Sequence, residues 1–109
     1  MLDTFHMNIE EDNIAAAIRQ AGGKLGHLHV GEQNRKVPGK GSIPWHEIGV
    51  ALRDINFKGG IVMEPFVLEG GNVGSEIKVW RNLISDTSEA ALDKDAKGSL
   101  EFLRHVFAK

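Results

Sequence analysis

Cysteine is absent from this 109-residue sequence, which excludes disulfide bonds and thiolate metal sites. A metal ion would therefore be held by histidine, aspartate, glutamate or amide groups. Long hydrophobic runs are also missing: none approaches the ~18 apolar residues of a membrane span, and the start does not resemble a signal peptide. A chain without these features fits the reducing cytoplasm, so we expect a cytoplasmic protein with no membrane partner.

An excess of one charge is missing as well. The sequence has 13 lysines and arginines against 15 acidic residues, and its formal net charge is −2. This balance gives no electrostatic reason to expect nucleic acid as a partner. Hydrophobic residues make up 41% and charged residues 26%, as in ordinary globular proteins. The length fits one small domain, which we take to be residues 1–109.

A short apolar start at residues 1–5, which we count as the first strand unit, precedes the first predicted helix. Asn8 precedes Glu11 by three residues, which matches a helix N-cap followed by an acid at the third helical position. Two glycines, Gly22 and Gly23, then mark the end of the helix. The apolar residues between them recur at helical spacing: Ile14, Ala17, Ile18 and Ala21.

Two strands are predicted further along, at residues 25–30 and 60–66. In LGHLHV the side chains alternate, so Leu28 and Val30 face one way and the opposite face carries Leu25, His27 and His29. GIVMEPF has the composition of a buried strand that Glu64 interrupts and Pro65 stops.

Three more helices are predicted. Ser42 is the expected cap of the first, Pro44 lies in its first turn, and its apolar stripe is Ile48, Ala51, Leu52 and Ile55. A short helix is expected around residues 77–84. The last helix begins near Ser88 and carries Leu92, Ala96, Leu100, Leu103 and Phe107.

The order strand, helix, strand, helix, strand, helix, helix predicts an α/β fold with parallel strands. Three parallel strands form a poor sheet by themselves, because parallel sheets are covered on both faces and paired at both edges. We therefore expect apolar residues to be exposed, among them Leu25, Leu28 and Val62. We expect the isolated chain to self-associate as a homo-oligomer, to aggregate or to be partly unfolded.

A candidate metal site recurs at the strand ends. Asp3 ends the first strand unit, His29 the second and Glu64 the third. The carboxyl ends of parallel strands meet at one edge of a sheet, where ligands bind. Two carboxylates and one imidazole suit Mn²⁺, Co²⁺, Mg²⁺ or Zn²⁺. Other polar residues are expected at the same edge: His6, Glu32, Asn34 and Arg35.

Each residue also has a structural interpretation. Asp3 alone resembles an ordinary loop acid, and His29 alone fits a hydrogen-bonded structural histidine. Glu64 is harder to explain in this way, because a buried carboxylate must be paired, protonated or metal-bound. His27 lies two residues deeper than His29 on the same face, and we interpret it as structural or as a support for the ligands.

Two other features are assigned no chemistry. Trp45 and Trp80 are expected to be packing residues. The KVPGKG loop at residues 36–41 lacks the spacing of a phosphate-binding loop, so we do not predict nucleotide binding.

Four motifs together resemble the C-terminal part of the D-tagatose 3-epimerase and D-psicose (D-allulose) 3-epimerase family: DTFHMNIEE, GHLHVGEQNRKVPGKG, PWHEIG and VMEPFV. The resemblance covers essentially the whole chain. It implies a xylose-isomerase-like (β/α)₈ TIM barrel of which the chain is the last three βα units, beginning within the sixth strand. It also implies a divalent metal, usually Mn²⁺ or Co²⁺, and epimerisation of free ketohexoses at C3.

The resemblance implies roles for six residues. Three correspond to metal ligands, namely Asp3, His29 and Glu64, and Glu64 also corresponds to one of two catalytic glutamates. The others correspond to substrate-binding residues: His6 and Arg35 at the sugar hydroxyls, and Phe66 at the edge of the pocket. The family's fourth ligand, a glutamate that is also the second acid–base group, lies on the fifth strand and has no counterpart here.

Two hypotheses for the function follow. In the first, the chain is part of a metal-dependent ketose 3-epimerase that works with a missing N-terminal half. The substrates are then ketohexoses of the D-psicose, D-fructose and D-tagatose class, and C3 is deprotonated through a cis-enediolate. In the second, the chain is a non-catalytic metal- or sugar-binding half-barrel that self-associates.

Overall fold

The computed structural model describes residues 1–68, 77, 79 and 81–108. Within them, one sheet contains three strands in the order β1 (Leu2–Asp3), β2 (His27–Val30) and β3 (Gly60–Met63), and both pairings are parallel. The helices are α1 (Thr4–Glu10), α2 (Ile14–Ala21), α3 (Trp45–Asp54) and α4 (Glu89–Phe107), with a 3-10 turn at Gly22–Lys24. The predicted α/β alternation with parallel strands is confirmed.

The first helix begins earlier than predicted, and the expected cap at Asn8 is wrong. Helix α1 begins at Thr4, and the Asp3 carboxylate caps it by accepting from two backbone N–H groups. Helix α2 begins at Ile14, and the side chain of Asn13 caps it by accepting from the backbone N–H of Ala16. These two caps divide the segment into two short helices, because each satisfies N–H groups that a helix start leaves unpaired.

Strand β2 alternates as predicted, but it begins at His27 and not at Leu25. Leu28 and Val30 are buried, whereas His27 and His29 lie half-buried on the opposite face. The expected exposure of Leu25 and Leu28 is wrong, since their side chains are 7% and 0% exposed. Both belong to the core that the helices form over this face of the sheet.

Strand β3 is shorter than predicted and is not buried. It ends at Met63, and its residues Ile61 and Val62 are 38% and 43% exposed. The difference arises because β3 pairs only with β2 among the described residues and therefore lies at the edge of the sheet. The expected exposure of Val62 is confirmed, and self-association through this edge stays a prediction.

Helix α3 begins later than predicted. Pro44 occupies the N-cap position instead of the first turn, and the first helical residue is Trp45. Ser42 does not cap the helix, because Pro44 holds the N-cap position and no side chain bonds to the first N–H groups of the helix. The backbone N–H of Ser42 donates to the Gln33 side chain at 2.8 Å. This hydrogen bond joins the end of the loop that precedes α3 to Gln33, at the start of the same loop.

The last helix agrees with the sequence prediction. Ser88 caps α4 by accepting from the backbone N–H of Ala91 at 3.2 Å. The short helix predicted around residues 77–84 is wrong, because residues 77, 79 and 81–84 are described and none of them is helical. Trp80 lies outside the described residues.

One hydrophobic core lies between the sheet and the helices. Helix α2 packs against α3, and α3 packs against α4. The Arg53 guanidinium, on α3, donates to carbonyl oxygens at the end of α4, including that of Phe107 at 3.0 Å. The most deeply buried apolar residues of this core are Ile18, Leu28, Val30, Ile48 and Ala51.

The Gly59→Ala variant is expected to be destabilised by about 1–3 kcal/mol, the usual cost of overpacking. A Cβ at Gly59 would collide with the carbonyl oxygen of Gly26 and lie 2.8 Å from a ring atom of Phe57. Backbone atoms yield little, so the starts of β2 and β3 would have to separate. Urea unfolding followed by circular dichroism measures the change.

Gly98→Ala is the matched control for this variant. Gly98 lies within α4, and a Cβ there meets nothing within 4 Å. Alanine is the better helix former by about 1 kcal/mol, so this variant is expected to unfold at a higher urea concentration. Equal midpoints for Gly59→Ala and the unmodified chain would contradict the predicted collision.

Candidate metal centre

The strand register places the three candidate ligands next to one another. Asp3 on β1 is the Cα partner of His29 on β2, which is in turn the partner of Val62 on β3. Glu64 follows β3 directly, and its backbone N–H donates to the carbonyl of Val30 at 3.3 Å. Because side chains alternate along a strand, Glu64 leaves the sheet on the same face as Val62 and His29.

The side chains of Asp3, His29 and Glu64 converge. Each offers one ligand atom, these atoms all lie within 4.8 Å of one another, and no other group of this kind occurs among the described residues. The Nδ1 atom of His29 is 2.9 Å from Oε1 of Glu64. The predicted convergence of these three residues is confirmed.

The donor set fits a divalent cation. Two carboxylates and one imidazole are ligands that Mn²⁺, Co²⁺ and Zn²⁺ accept. Such ligands bind at about 2.0–2.2 Å, so two of them on one ion lie at most about 4.4 Å apart. The observed spread of 4.8 Å therefore needs only a small side-chain adjustment.

Asp3 has a second role that the sequence did not indicate. Its Oδ1 atom accepts from the backbone N–H of Phe5 at 2.9 Å and of His6 at 3.4 Å, which caps α1. Both bonds use Oδ1, so Oδ2 is available as a ligand. The start of α1 thus orients the carboxylate, which sits beside His29 at the end of the strand.

Burial is not what distinguishes Glu64, contrary to the sequence argument. Its side chain is 39% exposed, compared with 18% for His29. The chain leaves the sheet at Glu64, immediately after β3, so the carboxylate reaches solvent instead of the core. What marks Glu64 is its contact with His29. The ring of His27 lies edge-on to that of His29, with centroids 4.9 Å apart.

The predicted sugar-binding residues lie beside this cluster. A small cavity of about 40 Å³ has both carboxylates of the cluster in its wall, together with His6, Arg35 and Phe66. Sites for small molecules usually measure about 300–1,000 Å³, so this cavity by itself is too small to enclose a whole ligand. The structure brings these residues together, and their contacts with a sugar stay a prediction.

Phe5 is a residue at this site that sequence reasoning missed. The Arg35 guanidinium carbon lies 3.9 Å from the centroid of the Phe5 ring and 5.8 Å from that of Phe66. Phe5 also contacts the ring of His6 edge-on, with centroids 5.2 Å apart. A signal was available, because Phe5 lies between a predicted ligand, Asp3, and a predicted sugar-binding residue, His6.

Thr4 was missed as well. It is fully buried, its hydroxyl donates to the carbonyl of Gly31 at 2.8 Å, and the same oxygen accepts from the Gly31 backbone N–H at 2.9 Å. These two bonds join the first residue of α1 to the loop after β2. They help to hold the elements that carry Asp3 and His29 in register.

Glu32 lies at the same edge but is not free to act as an acid or base. It is fully buried, and its carboxylate accepts from the backbone of Gly39 at 2.6 Å and of Ile43 at 3.1 Å. It also accepts from the Trp45 indole N–H at 2.7 Å. Trp45 is buried as predicted for a packing residue, and this hydrogen bond is an additional role.

A larger cavity shares Phe66 with the site. It measures about 520 Å³ and lies between the segment after β3 and the first part of α4. Its walls are mostly apolar, with Val37, Val67 and Leu92 among them. None of the three candidate ligands lines it, so the smaller cavity stays the candidate site.

Comparison with known proteins agrees with this geometry. The family profile described as "Xylose isomerase-like TIM barrel" matches residues 1–104. The chain belongs to this family. Its three parallel strands and their helices are therefore part of a (β/α)₈ barrel, and the predicted fold class is confirmed.

Similar proteins are named epimerases. The chain is 74% identical over 107 residues to the D-psicose 3-epimerase of Enterocloster bolteae, an alignment that covers 98% of this chain and 36% of that protein. It is 62% identical over 106 residues to the D-psicose 3-epimerase of Agrobacterium fabrum, covering 97% of this chain and 37% of that protein. The chain thus spans little more than a third of the relatives that it matches.

Solved structures show the same relationship. A D-psicose 3-epimerase crystallised in the presence of D-fructose superposes with a TM-score of 0.97 at 60% identity, over 100% of this chain and 38% of that one. The enzyme of Clostridium cellulolyticum with D-tagatose gives a TM-score of 0.95 at 63% identity, over 98% of this chain and 37% of that one. Among the described residues, no helix is both long enough and apolar enough to span a membrane.

Proposed function

We propose that this chain provides the metal-binding and sugar-binding part of a ketose 3-epimerase that acts on free ketohexoses of the D-psicose, D-fructose and D-tagatose class. The observation that carries the proposal is the convergence of Asp3, His29 and Glu64 within 4.8 Å. It occurs in a chain 74% identical to a D-psicose 3-epimerase. We further propose that the protein works in the cytoplasm.

In this proposal Asp3, His29 and Glu64 would hold the divalent cation, with Mn²⁺ favoured and Co²⁺ or Mg²⁺ as alternatives. Two hard carboxylates beside one imidazole suit these ions. When bound, such a cation supplies Lewis-acid polarisation of the sugar oxygens next to the reacting carbon. The cap on α1 and the bonds between Thr4 and Gly31 hold the ligands in place before a sugar binds.

Glu64 is the proposed acid–base group for one face of C3. Its carboxylate is 39% exposed and lines the small cavity, so it is accessible to a sugar. Inverting C3 means removing a proton from one face and returning a proton to the other, which needs two flanking groups. Glu64 supplies one. Glu32 does not supply the second, because three donors already surround its buried carboxylate.

His6 and Arg35 are proposed to bind the sugar hydroxyls. His6 is exposed and Arg35 half-buried, and both line the cavity that holds Asp3 and Glu64. The Arg35 guanidinium lies against the Phe5 ring and near that of Phe66, which limits the freedom it would lose on binding. Phe66 is proposed to form the apolar edge of the pocket.

The test is to reassemble a barrel from two chains. The part of the Enterocloster bolteae relative that lies before the matched segment is produced separately and mixed with this chain and Mn²⁺. We expect the mixture to invert D-psicose at C3 and to incorporate solvent deuterium there. Glu64→Gln in this chain should lower the rate by about 10²–10⁴-fold, as losing a general acid or base does.

The Glu101→Gln variant is the control, because Glu101 is exposed on α4. It should leave the rate unchanged. The second hypothesis, a non-catalytic half-barrel that self-associates, predicts sugar or metal binding without deuterium incorporation. A reassembled complex that binds Mn²⁺ and D-psicose but exchanges no C3 proton would therefore replace the proposed function with this alternative.

A further inference from the structure

Glu32 is the one fully buried carboxylate among the described residues, and no lysine, arginine or histidine of these residues forms an ion pair with it. Its side-chain partners are the backbone N–H groups of Gly39 and Ile43 and the indole N–H of Trp45. A charge away from water persists only when its surroundings provide donors in place of solvent. The loop from Glu32 to Trp45 provides all three.

The same residue closes a tight turn through its backbone. The N–H of Glu32 donates to the carbonyl of Lys36, and the Glu32 carbonyl accepts from the N–H of Arg35, both at 3.1 Å. The carbonyl oxygen of Arg35 in turn accepts a hydrogen bond from the backbone N–H of Phe66 at 3.0 Å. The turn is therefore joined to the segment that follows Glu64.

Arg35 has an unfavourable backbone conformation. Its φ angle is +69°, in the left-handed region that side chains other than glycine seldom adopt. Such a conformation persists only where the surrounding structure determines it. The bond from Arg35 to Glu32 and the loop that the Glu32 carboxylate holds together supply that constraint.

We propose that Glu32 is a positioning residue: its buried carboxylate holds the loop from Glu32 to Trp45 in one arrangement and thereby keeps the Arg35 guanidinium against Phe5, beside the metal centre. Gly41 supports this, because a Cβ there would lie 2.7 Å from Oε1 of Glu32, so the loop closes tightly around the carboxylate. The inference deepens the proposed function and rests on it only for what Arg35 binds.

The test measures the position of Arg35 directly by NMR of the 109-residue chain without sugar or metal. A guanidinium 3.9 Å from a ring centroid lies in the ring current of Phe5, so the Arg35 Hδ and Hε resonances are displaced upfield. Phe5→Leu removes the ring and defines the undisplaced shift. We expect Glu32→Gln to abolish at least half of the displacement, because an amide NH₂ faces an N–H donor whichever way it turns.

Amide hydrogen exchange separates positioning from general unfolding. Glu32→Gln should speed exchange of the Arg35 N–H at least about tenfold, while the amide of the core residue Ile18 stays unchanged. Trp45→Phe removes one of the three donors and keeps the packing ring, so it should change Arg35 in the same direction by a smaller amount. It is the second variant should Glu32→Gln fail to fold.

The Glu101→Gln control should leave both Arg35 signals unchanged. An Arg35 displacement that persists in folded Glu32→Gln or Trp45→Phe would overturn the proposal, as would equal acceleration of the Arg35 and Ile18 amides. Neither readout involves turnover. Failure of the epimerase assay therefore leaves this result intact, and failure here leaves the proposed function intact.

Discussion

The 109-residue chain, incubated by itself with Mn²⁺ and D-psicose or D-fructose, is expected to show no measurable inversion at C3. Under the proposed function Glu64 is the acid–base group for one face of the carbon, and the second glutamate that the family resemblance implies has no counterpart in this sequence. Loss of one such group costs about 10²–10⁴-fold in rate. The cavity of about 40 Å³ is too small to position a whole sugar, which adds to the loss because positioning of the substrate contributes several kcal/mol more.

The geometry of the described site supports this expectation. Two carboxylates of the small cavity belong to the ligand cluster, and the third, that of Glu32, is fully hydrogen-bonded within its loop. The measurement is C3 inversion by chromatography together with solvent deuterium uptake by NMR. The two-chain mixture described above is the positive control. Clear turnover by the lone chain would mean that another group, for example one from a second copy, completes the site.

The second large effect is expected on metal affinity. Replacing His29 by alanine or Glu64 by glutamine should weaken Mn²⁺ binding by more than about 100-fold, since changes to residues that only support ligands already cost about 10–100-fold. Each change removes one of three converging donors. Isothermal titration calorimetry of the chain with MnCl₂ measures the effect without any sugar.

Asp3→Asn separates the two roles of Asp3. Asparagine is as good a helix cap as aspartate, so α1 should persist, but the amide lacks the charge that favours a divalent cation. We expect unchanged helix content by circular dichroism and clearly weaker Mn²⁺ binding.

His46→Ala is the matched control for the histidine variant, because His46 is exposed on α3 away from the cluster. Equal Mn²⁺ affinity in His29→Ala and His46→Ala would contradict the metal site.

Sequence patterns predicted the strand that carries His29 and the long helix after Ser88. Alternation at period two separates Leu28 and Val30 from the two histidines, and apolar spacing identifies the buried side of a helix. These signals are local, so they do not depend on what lies elsewhere in the fold. The parallel order followed from the alternation of strands and helices.

Helix starts and burial were less predictable. Thr4 begins a helix because the Asp3 side chain caps it, and the sequence analysis considered this carboxylate as a metal ligand or a loop acid but not as a cap. The apolar strand GIVM was expected to be buried, but its position at the edge of the described sheet leaves it exposed. Burial depends on what covers a strand, and the strand's own residues do not specify its cover.

The sequence by itself determined the ligand types and their positions at strand ends, because strand ends and residue chemistry are encoded over a few neighbouring positions. Only the tertiary structure decided which side chains meet. The parallel register joins Asp3 to His29 across 26 positions of chain, and Thr4 binds a loop that lies 27 residues away. The buried Glu32 carboxylate holds the loop that carries Arg35, because it accepts hydrogen bonds from residues 7 to 13 positions further along the chain. Such contacts depend on how the chain folds back on itself, which no local pattern records.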